Sequence, residues 1–315
     1  MRRFLSCLYL NQSIQYDRTG ELTFSCANAC PRVPAGEKPN APALHRLRDE
    51  LIEAIKDGHV PQDSLCAGCD RIKEDYYPIE PEISCVNFFC KGHCNYRCSY
   101  CSVSHEKKER EGAGEHTVED VVSALRRENM LNGNYTLEFA TAGEPTLYPG
   151  RKDVYKTFDG EKITFITNGF LFDPDLFEMM NRKKINIICS IDAGMPETYQ
   201  RMKKVDGFHR VRANMKRYAQ ASVGIVVLKY ILLPGVNDIP EEIDGFIDFC
   251  AETGATFAIV SLDVYSVEKV TNQTVEMAKR LVRGLSEKNI LCIPITANLS
   301  EKFASIMRAM AAIEE

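Results

Sequence analysis

The stretch ISCVNFFCKGHCNYRCSYC, residues 83–101, decides how the rest of the chain is interpreted. Its first seven residues form an apolar run typical of a buried strand. A polar loop follows, with Cys94, Cys98 and Cys101 in a C-x3-C-x2-C spacing. Thiolates are the natural ligands of iron–sulfur clusters, and a four-iron cluster takes one ligand per iron. Three cysteines leave one iron open, and an open position is what a catalytic metal site needs.

Two other interpretations of this loop stay open at this point. The spacing i, i+4, i+7 also fits one helix face of buried thiols, although Asn95, Arg97 and Ser99 are poor core residues. A zinc site could combine the three cysteines with His93 or His105. The loop therefore predicts a metal centre, and an iron–sulfur cluster is the interpretation that we favour.

Outward from this loop, apolar runs alternate with amphipathic stretches over residues 82–265, which is typical of parallel β/α units. The six predicted strands are ISCVNFF, TLEFATAG, KITFITNG, INIICSID, SVGIVVLKYIL and ATFAIVSLDV. Thr117 caps one intervening helix with Asp120 three residues later, and Pro174 and Pro240 begin two others. Because six units fall short of the eight in a closed TIM barrel, we predict an α/β fold with a partial (β/α)6 TIM-like barrel.

The front of the chain is predicted to be a small cysteine-rich α+β domain. SIQYDR and ELTFSC have the pattern of strands on either side of Thr19-Gly20, which predicts a hairpin. The stretch HRLRDELIEAIKDG has helical spacing and ends on Gly58. We place this domain at 1–80, the barrel at 81–265 and a helical C-terminal extension at 266–315.

Bulk composition narrows the class of protein. The 315 residues are 44% hydrophobic and 26% charged, an ordinary globular balance, and the formal net charge of −5 argues against a nucleic-acid binder. No 18-residue apolar run predicts a transmembrane helix, and the short apolar stretch from Phe4 to Leu10 is interpreted as a strand and not as a signal peptide. Ten of the 13 cysteines lie in the first 101 residues, and the odd total argues against a disulfide framework. We therefore expect a cytoplasmic protein whose clustered thiols bind metal.

Five segments in order resemble the radical SAM (S-adenosylmethionine) superfamily. They are Cys94–Cys101 with an aromatic residue before the last cysteine, Ala142–Pro145, Thr167–Gly169, Ser190–Asp192 and Lys229–Asp238. The second resembles the family's GGEP motif, with alanine in place of the first glycine. The match covers about 82–265.

The resemblance implies a cofactor set and a role for each matching position. A [4Fe-4S] cluster would bind SAM at its open iron and cleave it reductively to a 5′-deoxyadenosyl radical, which abstracts a hydrogen atom from the substrate. The implied cluster ligands are Cys94, Cys98 and Cys101. The implied SAM contacts are Gly143 and Glu144 for the amino group, Asn168, Ser190 and Asp192 for the ribose or carboxylate, and Tyr100 for the adenine.

Each of these positions also has a simpler interpretation. Glu144 before Pro145 suits a solvated turn, and Asn168-Gly169 is an ordinary turn pair. Asp192 could only cap the next helix. Cys189, within a buried strand, is expected to be a core thiol.

The front cysteines resemble the auxiliary-cluster domains, of SPASM and twitch type, that many radical SAM enzymes carry. In those enzymes the domain follows the barrel, whereas here it precedes it. The resemblance implies a second iron–sulfur cluster held by Cys7, Cys26, Cys66 and Cys69, with Cys30 as a substitute for Cys26. A structural zinc site and free thiols are the alternatives.

The resemblance leaves the substrate open. An auxiliary cluster favours oxidation or epimerisation, and we expect a carbohydrate or small metabolite as the substrate. The alternatives are a peptide-modifying maturase that epimerises or crosslinks its substrate and, in another class, a non-catalytic zinc-binding interaction module. Reduced flavodoxin or ferredoxin is the expected electron donor, and neither a membrane nor a nucleic acid is an expected partner.

Overall fold

The computed structural model describes residues 4–294, apart from 8–9, 11, 18, 25–31, 35, 59–65, 67–71, 76–81, 102–115, 159 and 264–266. The chain divides into two compact units, one of residues 1–93 and 107–164 and the other of residues 94–106 and 165–315. Both contain parallel strands connected through helices. The fold class is therefore α/β, as the sequence predicts.

The first unit is built around the long strand that precedes the cysteine loop. Its described strands are β1 (Phe4–Cys7), β2 (Ser13–Tyr16), β3 (Leu22–Phe24), β4 (Arg32–Val33), β5 (Ile72–Asp75), β6 (Ile83–Lys91) and β7 (Leu131–Ala142). Its described helices are α1 (Ala41–Lys56), α2 (Val118–Arg127) and α3 (Arg151–Thr157). β6 pairs in parallel with β2 and β7, β3 pairs antiparallel with β2 and β4, and β1 pairs antiparallel with β5.

Local sequence signals explain several of these elements. The predicted hairpin is confirmed as β2–β3, and Gly20 in its turn has a φ of 79°, a value that favours glycine. The predicted capping box is also confirmed, because the Thr117 side chain accepts from the Asp120 N–H while the Asp120 carboxylate accepts from the Thr117 N–H. The parallel pairing of β2 with β6 is not predicted, and it joins the hairpin to the strands of the body within this unit.

The second unit contains the carboxyl-terminal half of the parallel strands. β8 (Lys162–Thr167) spans the division between the units. The described strands of the second unit are β9 (Ile185–Ser190), β10 (Val226–Leu232), β11 (Phe257–Leu262) and β12 (Leu291–Pro294), all parallel to their neighbours. Its described helices are α4 (Pro174–Met180), α5 (Pro196–Lys203), α6 (Phe208–Tyr218), α7 (Pro240–Thr253) and α8 (Asn272–Glu287).

A carboxylate from another helix caps the start of α5. The Glu242 side chain in α7 is buried and accepts from the backbone N–H groups of Gly194 (2.7 Å) and Met195 (3.2 Å). These donors begin α5, whose N-cap residue makes no side-chain cap of its own. Gly194 and Gly245 allow the two backbones to approach closely, since a Cβ on either would clash with the other segment. α7 thus fixes where α5 begins.

The observed boundaries differ slightly from the predicted ones. β7 begins at Leu131, four residues before the predicted run, and α4 ends at Met180 rather than near Arg182. β12 contains Cys292, which is the predicted late strand. Of the two predicted C-terminal helical stretches, α8 is present and the second lies outside the described residues. In the part of the chain that the structure describes, no helix is long and apolar enough to cross a membrane.

Candidate cluster and cofactor site

The cysteine loop belongs to the second unit and places three thiols close together. Cys94 is exposed, whereas Cys98 and Cys101 are half-buried. The Tyr96 N–H donates to Cys94 Sγ at 3.4 Å, and the Cys101 N–H donates to the Cys98 carbonyl at 3.2 Å. Burial raises the pKa of the Cys98 thiol to about 11, opposed by the charge of Lys203 and reinforced by Asp192 and the other two cysteines. Metal binding takes the place of such a proton.

Helix α5 is the platform on which the loop docks. The Tyr96 hydroxyl lies 2.9 Å from that of Tyr199, and both groups are buried. The Ser99 N–H donates to the Met202 carbonyl at 2.8 Å. The loop therefore makes contacts with the middle and the end of α5, and these contacts fix its conformation on both sides of Cys98.

Asp192 lies at the centre of the strongest polar network in this unit. The carboxylate is fully buried, and its Oδ2 accepts from the Tyr100 hydroxyl (2.5 Å) and from Lys203 Nζ (2.6 Å). Its Oδ1 accepts from the Ile231 N–H (2.8 Å), and its carbonyl accepts from Asn237 Nδ2 (2.8 Å). A φ of 58° puts Asp192 in the left-handed region, which a non-glycine residue adopts only where its surroundings impose it.

The Asp192–Lys203 pair is a buried salt bridge with its remaining hydrogen-bonding capacity used. Lys203 Nζ also donates to the Ser190 carbonyl at 3.0 Å and lies 5.2 Å from the centre of the Tyr100 ring. Burial disfavours the ammonium, yet Asp192 outweighs it and raises the pKa of Lys203 above its ordinary value. Burial and the Asp192 charge together raise the pKa of Tyr100, so the phenol stays protonated and donates.

Asn168 connects the turn after β8 to the same loop. Its Nδ2 donates to Asn95 Oδ1 at 2.9 Å and lies 3.9 Å from Cys94 Sγ, while its Oδ1 accepts from the Phe170 N–H. Gly169 next to it has a φ of 73°, and a Cβ there would meet Cys189 Sγ at 2.7 Å. Cys189 is fully buried, as expected for a core thiol. The turn is therefore both an ordinary Asn-Gly turn and a contact of the cysteine loop.

Gly143 and Glu144 form a tight turn in the first unit. A Cβ on Gly143 would lie 2.6 Å from the carbonyl oxygens of Gly92 and His93, and the Glu144 N–H donates to the His93 carbonyl at 2.8 Å. Glu144 is buried rather than solvated, and its Oε1 accepts from the N–H (3.1 Å) and hydroxyl (2.7 Å) of Thr146. This turn holds the residues that lead into the cysteine loop.

Substitution of Gly143 by alanine is expected to destabilise the protein by about 1–3 kcal/mol, because the new methyl group meets backbone atoms that cannot rotate away. The measurement is equilibrium denaturation of the metal-free protein. Gly133→Ala in the same strand is the matched control, since a Cβ there meets nothing within 4 Å. If both variants unfold at the same denaturant concentration, the close approach at Gly143 is not a constraint.

The remaining predicted site residues are only partly described. Ser190 ends β9 and is half-buried. In the front, Cys7 is buried in β1 and Cys66 is partly exposed, whereas Cys26, Cys30 and Cys69 lie outside the described residues. Among the residues that are described, no three His, Cys, Asp or Glu side chains converge on a single metal ion. A four-iron cluster does not require such convergence, because each thiolate binds a different iron. The auxiliary cluster stays a prediction.

The sequence analysis did not single out five residues that build this site. They are Tyr96, Tyr199, Lys203, Asn237 and Glu242. Lys203 is adjacent to Lys204 at the end of a short polar helix, a pattern that usually means solvated charge. The one available signal was the charge balance of SID followed by a lysine 11 residues later, and it has no specificity by itself.

The comparison with protein families assigns the chain. The model of the radical SAM superfamily matches residues 91–250, slightly more than half of the 315 residues. The chain belongs to the radical SAM superfamily. Enzymes of this superfamily use a [4Fe-4S] cluster and SAM, so the predicted fold class and principal cofactors are confirmed.

Two curated relatives illustrate the similarity in sequence. A probable GTP 3′,8-cyclase of Methanothermobacter thermautotrophicus is 25% identical over 175 residues, 54% of this chain and 55% of the relative. A GTP 3′,8-cyclase of Acaryochloris marina is 28% identical over 160 residues, 46% of each chain. The chain spans about half the length of the curated relatives it matches.

Solved structures show the same fold at lower identity. Streptococcus suis SuiB bound to the precursor peptide SuiA has a TM-score of 0.52 at 14% identity, covering 93% of this chain and 73% of that one. The protein anSMEcpe with bound AdoMet has a TM-score of 0.51 at 19% identity, covering 67% and 61%. At these identities the likeness shows the fold alone.

The donor set of the second unit fits a cluster and SAM. Three thiols share one short loop, and the loop is held by Tyr96, Ser99 and Tyr100 without contribution from a metal. Asn168 and Ser190 place polar side chains at the carboxyl ends of β8 and β9, the edge at which ligands of parallel α/β folds bind.

Proposed function

We propose that this radical SAM enzyme binds its [4Fe-4S] cluster through Cys94, Cys98 and Cys101 and abstracts a hydrogen atom from a small polar substrate. The observation that supports it best is the loop itself. Its three cysteines lie on a segment that α5 and Asp192 hold in place through buried hydrogen bonds. Preorganisation of this kind favours a defined cluster geometry.

When bound, the cluster supplies one electron that cleaves SAM and releases the 5′-deoxyadenosyl radical. The role of Asn168 and Ser190 is to bind polar groups of SAM, as the superfamily match implies, and Gly143–Glu144 are proposed to receive its amino group. Both carboxylate oxygens of Asp192 already accept from protein groups, which favours a positioning role over the predicted contact with SAM. In this role Asp192 orients the Tyr100 ring, and the ring lies along the adenine.

For the substrate, we propose oxidation or epimerisation of a carbohydrate or another small polar metabolite. Ser190 pairs with Lys229, and Ile231 pairs with Ser261, at the carboxyl ends of β9, β10 and β11. Lys229 lies on the strand face opposite to Tyr230, which packs on α7. Hydroxyl and ammonium groups on one face suit a hydroxylated or anionic substrate. The resemblance to SuiB shows the fold alone, so the peptide-modifying alternative gains no support from it.

A second candidate is the reaction of the curated relatives. Two of them, each 25–28% identical over about half of its length, are named as GTP 3′,8-cyclases. GTP is an anionic nucleotide, and Lys229 would suit its phosphates as well as a sugar acid. The shared part is the SAM-cleaving half of the chain, so this candidate needs its own assay.

The test is the production of 5′-deoxyadenosine by the anaerobically reconstituted protein with SAM and dithionite. We expect wild type to form it and Cys98→Ala to form none. Addition of GTP, of nucleotide sugars and of free sugars separates the candidates, because the true substrate raises the rate and disappears with it. A reconstituted wild type that binds SAM without cleaving it would overturn the proposed function.

A further inference from the structure

Helix α6 carries a cluster of cations on a chain that is acidic overall. Its sequence FHRVRANMKRY contains Arg210, Arg212, Lys216 and Arg217 and no acidic residue, whereas the whole chain has a formal net charge of −5. Arg212 is paired with Glu252 at 2.8 Å. Arg210 and Arg217 are exposed and make no ion pair with any residue that the structure describes. Two cations are thus left for a partner.

These two arginines are held in place by aromatic rings. The Arg210 guanidinium lies 4.2 Å from the centre of the Phe170 ring, and that of Arg217 lies 3.4 Å from the centre of the Phe172 ring. Stacking on an aromatic face restricts a side chain that would otherwise sample many rotamers. Both guanidinium groups therefore keep their donors directed away from the rings and available to a carboxylate.

The same rings lie against the cysteine loop. Phe170 contacts the Tyr96 ring at a centroid distance of 5.7 Å, and its N–H binds Asn168, whose amide reaches Asn95 and Cys94. Arg97, exposed within the loop, adds a third cation. We call Arg97, Arg210 and Arg217 the arginine strip.

We propose that the arginine strip is the docking surface for an acidic electron-carrier protein of the flavodoxin or ferredoxin class. The inference rests on the proposed function, in which each cleavage of SAM consumes one electron. The reduced carrier gives up one electron and the oxidised [4Fe-4S] cluster accepts it, so the carrier ends oxidised by one electron. Carboxylates on the carrier would pair with guanidinium groups that already lie beside the cluster loop, which shortens the path for that electron.

A protein partner suits this surface better than a nucleic acid. The net negative charge of the chain repels a long polyanion, which needs a basic surface along much of its length. A compact carrier requires complementarity only over one patch, and such patches raise the rate of encounter at low salt. The position beside the cluster loop has a purpose for an electron carrier and none for a nucleic acid.

The test compares two charge-reversal variants with the reconstituted enzyme. Arg210→Glu/Arg217→Glu changes the strip, and Arg283→Glu/Lys288→Glu changes the same number of exposed cations around the end of α8. Binding of flavodoxin and of ferredoxin is measured by titration at low and at high salt. SAM cleavage is measured with the reduced carrier and, separately, with dithionite.

We expect the strip variant to bind the carrier about tenfold more weakly at low salt, with a similar loss of carrier-dependent cleavage and an unchanged dithionite-dependent rate. The α8 variant should match wild type, and high salt should remove the difference. Arg210→Gln/Arg217→Gln, which introduces no repulsion, should show a smaller loss in the same direction. The proposal is overturned if the strip and α8 variants bind the carrier equally, if dithionite-dependent cleavage falls as much as carrier-dependent cleavage, or if wild type binds a short RNA and neither carrier.

Discussion

Lys203→Met is expected to be among the most destabilising single substitutions in the second unit, costing about 3–5 kcal/mol. The change leaves the Asp192 carboxylate fully buried with no cation beside it, which is the costly way to break a buried ion pair. Since Tyr100 and Asp192 are joined by a hydrogen bond, the loop that carries Cys98 and Cys101 should loosen as well. Equilibrium denaturation of the metal-free protein measures the first effect, and the rate of iron loss to a chelator measures the second.

A double-mutant cycle separates the pair from the surrounding structure. Asp192→Asn leaves Lys203 unpaired and should also destabilise, whereas the double variant removes both charges and should lose less than the sum of the two single changes. Lys203→Arg, which keeps the charge, should retain more stability than Lys203→Met. Additive losses would show that Asp192 and Lys203 contribute independently and would contradict the network.

The pH dependence follows from the direction of the Lys203 shift. Its pKa in the folded protein lies above the ordinary value of 10.5, so the stabilisation is complete below that value and disappears as the pH rises through the folded pKa. The difference in stability between wild type and Lys203→Met should therefore be constant in the neutral range and shrink only under strongly alkaline conditions.

The repeating features of the chain are predictable from sequence because they depend on neighbouring residues. The strand that begins at Ile83, the capping box at Thr117 and the proline starts of α4 and α7 all follow from local periodicity and capping. The cysteine spacing is local too, and together with four later motifs it indicated the superfamily that the comparison confirms.

What the sequence did not reveal depends on residues far apart in the chain. Glu242 caps α5 across 48 residues, and Tyr96 meets Tyr199 across 103. A lysine at the end of a polar helix gives no indication that it is buried, because its carboxylate partner precedes it by 11 residues on another element. Such contacts are set by the packing of α5 and α7 and have no local signature.

Replacement of Cys94, Cys98 and Cys101 together by alanine should produce the largest change in metal content. After anaerobic reconstitution we expect about eight irons per wild-type chain and about four in the triple variant, because the front cysteines are predicted to hold a second four-iron cluster. Iron and acid-labile sulfide are measured per chain. Cys250→Ala is the matched control, since this thiol is buried in α7 and should leave the iron content at the wild-type value. About four irons in wild type and none in the variant would keep the SAM-binding cluster and remove the auxiliary one, and with it the case for oxidation. A wild type that binds no iron would contradict the assignment of these cysteines.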